Sequence, residues 1–216
     1  KVPTLYCSIM YVNNEVGVIQ DLEKISTILR NSEAYFHSDC AQAFNAITLN
    51  TISEYVDIGT FSGHKIGGPQ GIGCSYISAD VQELLEPHIF GGGQQGGLRS
   101  GTLPLPLVVG LGEAYKTASD DNKSSTKKDL LLKNNRQLWE LLKQSLPNIE
   151  LNGPDLNTRH PGNLNVYFPN PSGPLMDIKV LTFFNFFLSN SIVFERKPAI
   201  PHIILSLFFY QIFIDN

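Results

Sequence analysis

The sequence predicts an α/β fold, and three observations carry the prediction. Over residues 1–106, short apolar runs alternate with helix-like stretches, the pattern of a doubly wound domain. Two of those runs end in polar chemistry, one at Asp39 and one at Ser62-Gly63-His64-Lys65. Beyond the punctuation Leu103-Pro104-Leu105-Pro106, a helical region leads into a further strand. The chain therefore divides into the later part of a large doubly wound domain (1–106), part of a smaller α/β domain (107–176), and an apolar tail (177–216) outside the pattern.

The elements follow in order. Residues 3–11 read as an apolar strand and residues 22–29 as a short helix. Residues 35–38 form an apolar approach to Asp39, a strand running into a helix start near that acid, with Gln42 one turn on and on the same face. Residues 56–61 are a second strand with the lysine turn behind it. Residues 107–118 read as a helix, 120–126 as a polar break, and 128–146 as an amphipathic helix with Leu131, Leu138, Trp139 and Leu142 near one face. Residues 163–168 read as a strand opening the smaller domain.

Composition fits a globular chain. At 42% hydrophobic residues and a net charge of −4 it can build a core, and it has no basic excess for nucleic acid. Its 3 cysteines, without a CxxC pair, suit a reducing compartment and no disulfide framework. His37, Asp39 and Cys40 lie too close in sequence to form a metal site without a further ligand, so no metal is expected. The turn Gly68-Pro69-Gln70-Gly71-Ile72-Gly73 starts no helix and is no dinucleotide fingerprint.

Lys65 is the residue with the most chemical consequence. A lysine bonds covalently to a carbonyl only as the neutral amine, so one held at the mouth of a sheet among few charges is chemically useful. Its ordinary alternative is a solvated lysine at a strand end. Asp39 has two readings as well: an N-cap, or a carboxylate that holds the protonated nitrogen of a pyridinium ring. An acid and a lysine at two successive strand ends fit a pyridoxal phosphate pocket at the carboxyl edge of an α/β sheet.

Five linked motifs sharpen this. Val12-Asn13-Asn14-Glu15-Val16-Gly17, His37-Ser38-Asp39-Cys40-Ala41-Gln42, Ser62-Gly63-His64-Lys65-Ile66-Gly67-Gly68-Pro69, Gly91-Gly92-Gly93-Gln94 and Leu98-Arg99-Ser100-Gly101-Thr102 resemble, in order and spacing, the cysteine desulfurases that supply sulfur for iron–sulfur clusters. A weaker similarity continues to His160-Pro161-Gly162-Asn163-Leu164-Asn165 and stops after about Met176. The resemblance implies a fold-type I pyridoxal phosphate transferase in which Lys65 forms the Schiff base with the cofactor and moves protons on the substrate carbon. Asp39 would pair with the ring nitrogen, Gln42 with the ring oxygen, and Asn14 would lie near the ring oxygen and substrate carboxylate. Ser62 and His64 would bind the phosphate. Thr102 would reach the phosphate of a neighbouring subunit, which implies a homodimer, with Arg99 near that interface.

The resemblance further implies L-cysteine as substrate, L-alanine as product, and sulfur passed as a persulfide to an iron–sulfur scaffold or other acceptor protein. Four positions depart from the family pattern: Cys40 stands for a small alanine, Gly67 for a tyrosine, and Gln95-Gly96 for an acid and a base. A desulfurase also needs a sulfur-carrying cysteine on a distant flexible loop. Cys7 and Cys74 sit in apolar runs and read as buried packing residues, and Cys40 matches a packing position, so none is assigned that role.

The chain opens inside an apolar run, and family members carry a phosphate-binding turn and a ring-stacking aromatic residue before this point. Lacking these and the carrier cysteine, the 216 residues alone are expected to bind cofactor weakly or not at all, and not to turn over. The tail's apolar runs, 181–187 and 203–214, fall short of the twenty or so residues a spanning helix prefers, so no membrane anchor is expected. Its Phe- and Ile-rich composition suits read-through of noncoding sequence, which favours a mitochondrial setting over a bacterial cytoplasm. A noncatalytic remnant and a selenocysteine lyase-like enzyme remain as alternatives.

Overall fold

The computed structural model describes residues 6–43, 52–123, 126–167 and 192–195. Its contacts define two compact units. The first comprises Lys1–Tyr11 with Gln20–Lys123, and the second Val12–Ile19 with Ser124–Asn216.

The first unit is built on a four-stranded sheet in the order β1 (Tyr6–Met10), β2 (Tyr35–Asp39), β3 (Ile58–Ser62), β4 (Gly73–Ile77). The first three strands are parallel and β4 returns antiparallel to β3. Helix α1 (Leu22–Arg30) lies between β1 and β2 in the chain, and the single turn of α2 (Ile52–Tyr55) precedes β3. The start of α1 follows from Asp21, whose carboxylate accepts the Lys24 N–H at 3.1 Å and meets the Lys24 ammonium at 2.7 Å. Along β2 the exposure alternates: Phe36 and Ser38 are buried, Tyr35 and Asp39 exposed. The sheet thus has a packed face and an open face. Phe36 is 2% exposed and packs with Leu22, Cys40, Ala43, Ile52 and Val56, so burying that ring alone contributes about 1.5–3 kcal/mol.

Helix α3 (Ala79–Gln82) follows β4, and α4 (Leu105–Lys123) closes the unit. Residues 120–123, expected as the start of a polar break, continue α4; residues 124 and 125 lie outside the described residues. Helix α4 backs the lysine turn closely. A Cβ on Gly63 would stand 3.2 Å from Leu111 Cδ1, and one on Gly110 only 2.6 Å from Pro69 Cγ.

In the second unit α5 (Thr126–Ser145) packs against a small sheet of β5 (Glu150–Leu151), β6 (Leu164–Tyr167) and β7 (Ile192–Glu195). Leu138, Ile149, Leu164 and Val166 form its core, with Trp139 and Leu142 against them, so the helix face expected from spacing is the buried one. β6 pairs antiparallel with β5 and parallel with β7. Apart from β7, the tail 177–216 lies outside the described residues. No helix among the described residues is long and apolar enough to cross a membrane.

Candidate active site

The parallel register decides which strand ends come together. Met10 stands opposite Asp39, and Asp39 opposite Thr60, so Asp39 and Ser62 both reach the carboxyl edge of the sheet. β3 ends at Ser62 because the chain tightens there into a turn of 3-10 helix, Gly63–Ile66, which carries His64 and Lys65. Gly67 closes that turn at φ +84, with its N–H donated to the carbonyls of Gly63 and His64. Gly63 has no room for a side chain, since a Cβ would lie 2.8 Å from the Ile72 carbonyl oxygen.

Ser62 Oγ and His64 Nδ1 are 2.9 Å apart, which holds the imidazole beside the end of the strand. Lys65 is half-buried in the same turn, and desolvation pushes its amine below the ordinary lysine value. Asp39 is exposed and its Oδ1 accepts the Ala41 N–H at 2.9 Å, so the carboxylate does cap the following chain. The described residues make a turn at 41–43 in place of the expected first turn of helix, fixed by this bond and by Ala43 N–H to the Cys40 carbonyl at 3.0 Å. Gln42 lies in that turn, half-buried.

Thr102 and Arg99 belong to the glycine-rich loop. Gln94 Oε1 accepts the Gly101 N–H at 3.0 Å and Ser100 Oγ the Gly93 N–H at 3.2 Å, which ties the loop to itself and leaves Thr102 exposed. Asn14 lies in the second unit, on the loop Val12–Ile19, with its side chain exposed.

The sequence marks His37 as a motif residue and an inadequate metal ligand, and it does not signal the partners the structure gives it. Ser8 Oγ lies 2.7 Å from Nδ1 and Thr60 Oγ1 3.2 Å from Nε2, so the ring links three adjacent strands on the open face, one pleat from Asp39. Only the register brings Ser8 and Thr60 to it, and no local spacing signals that. Cys74 also departs from expectation: it is exposed, on β4, an edge strand among the described residues, and Cys7 is half-buried. Cys40 is fully buried, with its thiol pushed up to about 11 by desolvation.

The bonded Ser62–His64 pair, an exposed carboxylate and a desolvated lysine amine suit a phosphorylated aldehyde with a basic ring nitrogen. A family model described as aminotransferase class-V matches residues 3–179. The chain belongs to the class-V aminotransferase family.

This class-V aminotransferase chain is 40% identical over 182 residues to a cysteine desulfurase IscS of Rickettsia rickettsii, covering 82% of the chain and 42% of that protein. It is 43% identical over 172 residues to the cysteine desulfurase IscS of Ehrlichia chaffeensis, covering 79% and 41%. Among solved structures, a NifS-like protein from Rickettsia africae is similar with TM-score 0.66 and 32% identity, over 79% of this chain and 46% of that one. DndA from Streptomyces lividans is similar with TM-score 0.70 and 30% identity, over 88% and 53%. The class-V chain thus spans under half the length of these curated relatives, and the expected fold-type I α/β architecture stands.

Proposed function

We propose that the chain is part of a pyridoxal phosphate-dependent cysteine desulfurase, which converts L-cysteine to L-alanine and passes the sulfur as a persulfide to an iron–sulfur scaffold or other acceptor protein. The observation that carries the reading is the carboxyl-edge arrangement: Asp39 on one strand and Ser62, His64 and Lys65 at the end of its neighbour, in register. The names of the bacterial relatives support the substrate class.

The bound cofactor supplies the electron sink that stabilises negative charge at the substrate carbon. The chain's own residues do the rest. Lys65, with its ammonium form disfavoured by desolvation, would hold the cofactor through its neutral amine and would move protons at the substrate carbon. Asp39 keeps the ring nitrogen protonated, and Gln42 is proposed to donate to the ring oxygen. Ser62 and His64, bonded to each other at 2.9 Å, are proposed to bind the phosphate. Asn14 is proposed as a contact of the ring oxygen and substrate carboxylate on the family resemblance alone.

A homodimer in which Thr102 reaches the partner's cofactor phosphate is supported by large apolar side chains left exposed around that loop: Ile89, Phe90, Leu103, Leu105 and Val109. Sulfur carriage is assigned to none of Cys7, Cys40 and Cys74; Cys40 in particular is buried and held as the thiol. The named relatives are bacterial, which supports the bacterial-cytoplasm alternative over the mitochondrial setting.

The test is borohydride trapping with added pyridoxal phosphate, followed by peptide mass analysis and by assay of alanine from cysteine. Cofactor mass on the Lys65 peptide, lost in Lys65→Ala, supports the pocket. Alanine release adds the desulfurase activity, release only from selenocysteine favours the lyase alternative, and trapping without turnover favours the remnant.

A further inference from the structure

The loop that carries Asn14 is gripped by its own unit in an unusual way. Val12 and Ile19 form an antiparallel bridge, and Asn13 Oδ1 accepts the N–H groups of Glu15 and Val16, both at 2.9 Å. Three carbonyls of this loop then point at donors from elsewhere. Asn163 Nδ2 donates to the Asn14 carbonyl at 3.2 Å and to the Glu15 carbonyl at 2.9 Å. Asn165 Nδ2 donates to the Glu15 carbonyl at 3.1 Å, and the His160 N–H to the Gly17 carbonyl at 2.8 Å.

The donors are themselves fixed from behind. Asn163 Oδ1 accepts from the Arg159 guanidinium at 3.3 Å, and Arg159 also donates to the carbonyls of Asn152 and Pro154. Asn165 Oδ1 accepts from Asn152 at 2.9 Å. Asn135, from α5, donates to the carbonyls of Pro161 and Asn163. Asn135, Arg159, Asn163 and Asn165 are all at least 95% buried, with exposures of 2%, 3%, 5% and 0%. Buried polar groups cost stability unless they are bonded, and an apolar filling would serve packing alone. Asn163 and Asn165 spend their amide donors on the backbone of one loop, Asn135 and Arg159 bond the residues around them, and the side chains of Asn14 and Glu15 are left exposed.

We infer that Asn163 and Asn165, backed by Arg159 and Asn135, are positioning residues that fix the main chain of residues 14–17 so that the Asn14 amide is presented in one orientation to cofactor or substrate. The inference rests on the proposed role of Asn14. Its logic is preorganisation: a side chain whose backbone is already fixed loses less freedom on binding.

The test substitutes Asn163→Asp in the 216-residue chain. Aspartate keeps an acceptor for Arg159 and replaces the donating amide with an oxygen that repels the Asn14 and Glu15 carbonyls. Gly17→Ala is the second variant: at φ +73 its Cβ would lie 2.6 Å from Asn163 Oδ1 and displace that side chain without touching the core. Backbone hydrogen exchange at residues 15–17 is expected to quicken in both, with other protected amides unchanged. Affinity for pyridoxal phosphate, read from Lys65 trapping, is expected to fall about tenfold, the value of one hydrogen bond to a charged or polarised group. It is expected to fall no further when Asn14→Ala is added, as for residues acting through one another.

Unchanged exchange at residues 15–17 overturns the clamp. An additive loss in the double variant overturns its action through Asn14. Wild-type affinity in Asn14→Ala overturns the cofactor role of Asn14, and no trapping in the unsubstituted chain overturns the proposed pocket, while the exchange result still decides the clamp.

Discussion

Ser62 Oγ and His64 Nδ1 lie 2.9 Å apart across the point where β3 becomes a 3-10 turn, and the bond aims two side chains at one spot. Neither group is part of a core. Ser62→Ala is therefore expected to change thermal stability little and to weaken pyridoxal phosphate binding about 10- to 100-fold, the range for a hydrogen bond to a charged group of about 1.5–3 kcal/mol. His64→Ala should behave alike, and the double variant should lose less than the sum. Additive losses would mean that the pair does not act together.

Lys65 gives a pH prediction. Desolvation disfavours its ammonium form, so its folded value lies below the ordinary 10.5. The unfolded chain then holds the proton more tightly than the folded one. This group's destabilisation is fully present below the folded value and relieved as pH rises toward 10.5. Borohydride-trapped attachment of pyridoxal phosphate at Lys65 should accordingly rise with pH at a midpoint below that of a surface lysine. A midpoint at or above the ordinary value would show the amine to be solvated.

The lysine turn and the strand ends were legible because glycine, serine and a basic pair after an apolar run are local signals, and the observed β3 and turn follow that sequence of residue types. The alternation of Phe36 and Ser38 with exposed neighbours was legible for the same reason. The Ser8–His37–Thr60 link was not, because it depends on a register between strands distant in sequence. The carbonyl grip on the Asn14 loop spans about 150 residues of chain and leaves no local trace. The exposure of Cys74 was missed because an apolar run does not reveal whether its strand is central or at the edge.

Phe36 is 2% exposed at the centre of the first unit's packed face. Phe36→Ala leaves a cavity between Leu22, Ile52 and Val56 that the sheet cannot collapse to fill, and is expected to cost about 3–5 kcal/mol. Denaturant unfolding followed by circular dichroism measures it. A loss under about 1 kcal/mol would mean that this core is not packed as described.

The three cysteines should separate cleanly by reactivity. Attack on a thiol reagent needs both access and the thiolate; the two agree at Cys40 and oppose each other at Cys74, where access dominates. Cys74 is exposed, so a disulfide reagent at pH 8 should modify it first, with desolvation of its thiol slowing the reaction relative to a model thiol. Cys40 has neither requirement: it is buried against the Ser38 carbonyl, and its thiol is pushed up to about 11. It should react only at the rate at which the fold opens, and urea should bring it level with Cys74. Because its folded value lies above the ordinary 9.0, the folded state holds this proton more tightly. That stabilisation is present below 9.0 and lost as pH rises from 9.0 through about 11, so Cys40→Ala should flatten the alkaline fall in stability. Rapid labelling of Cys40 in the folded chain, identified by peptide mass, would refute its burial and return it to consideration as a sulfur nucleophile.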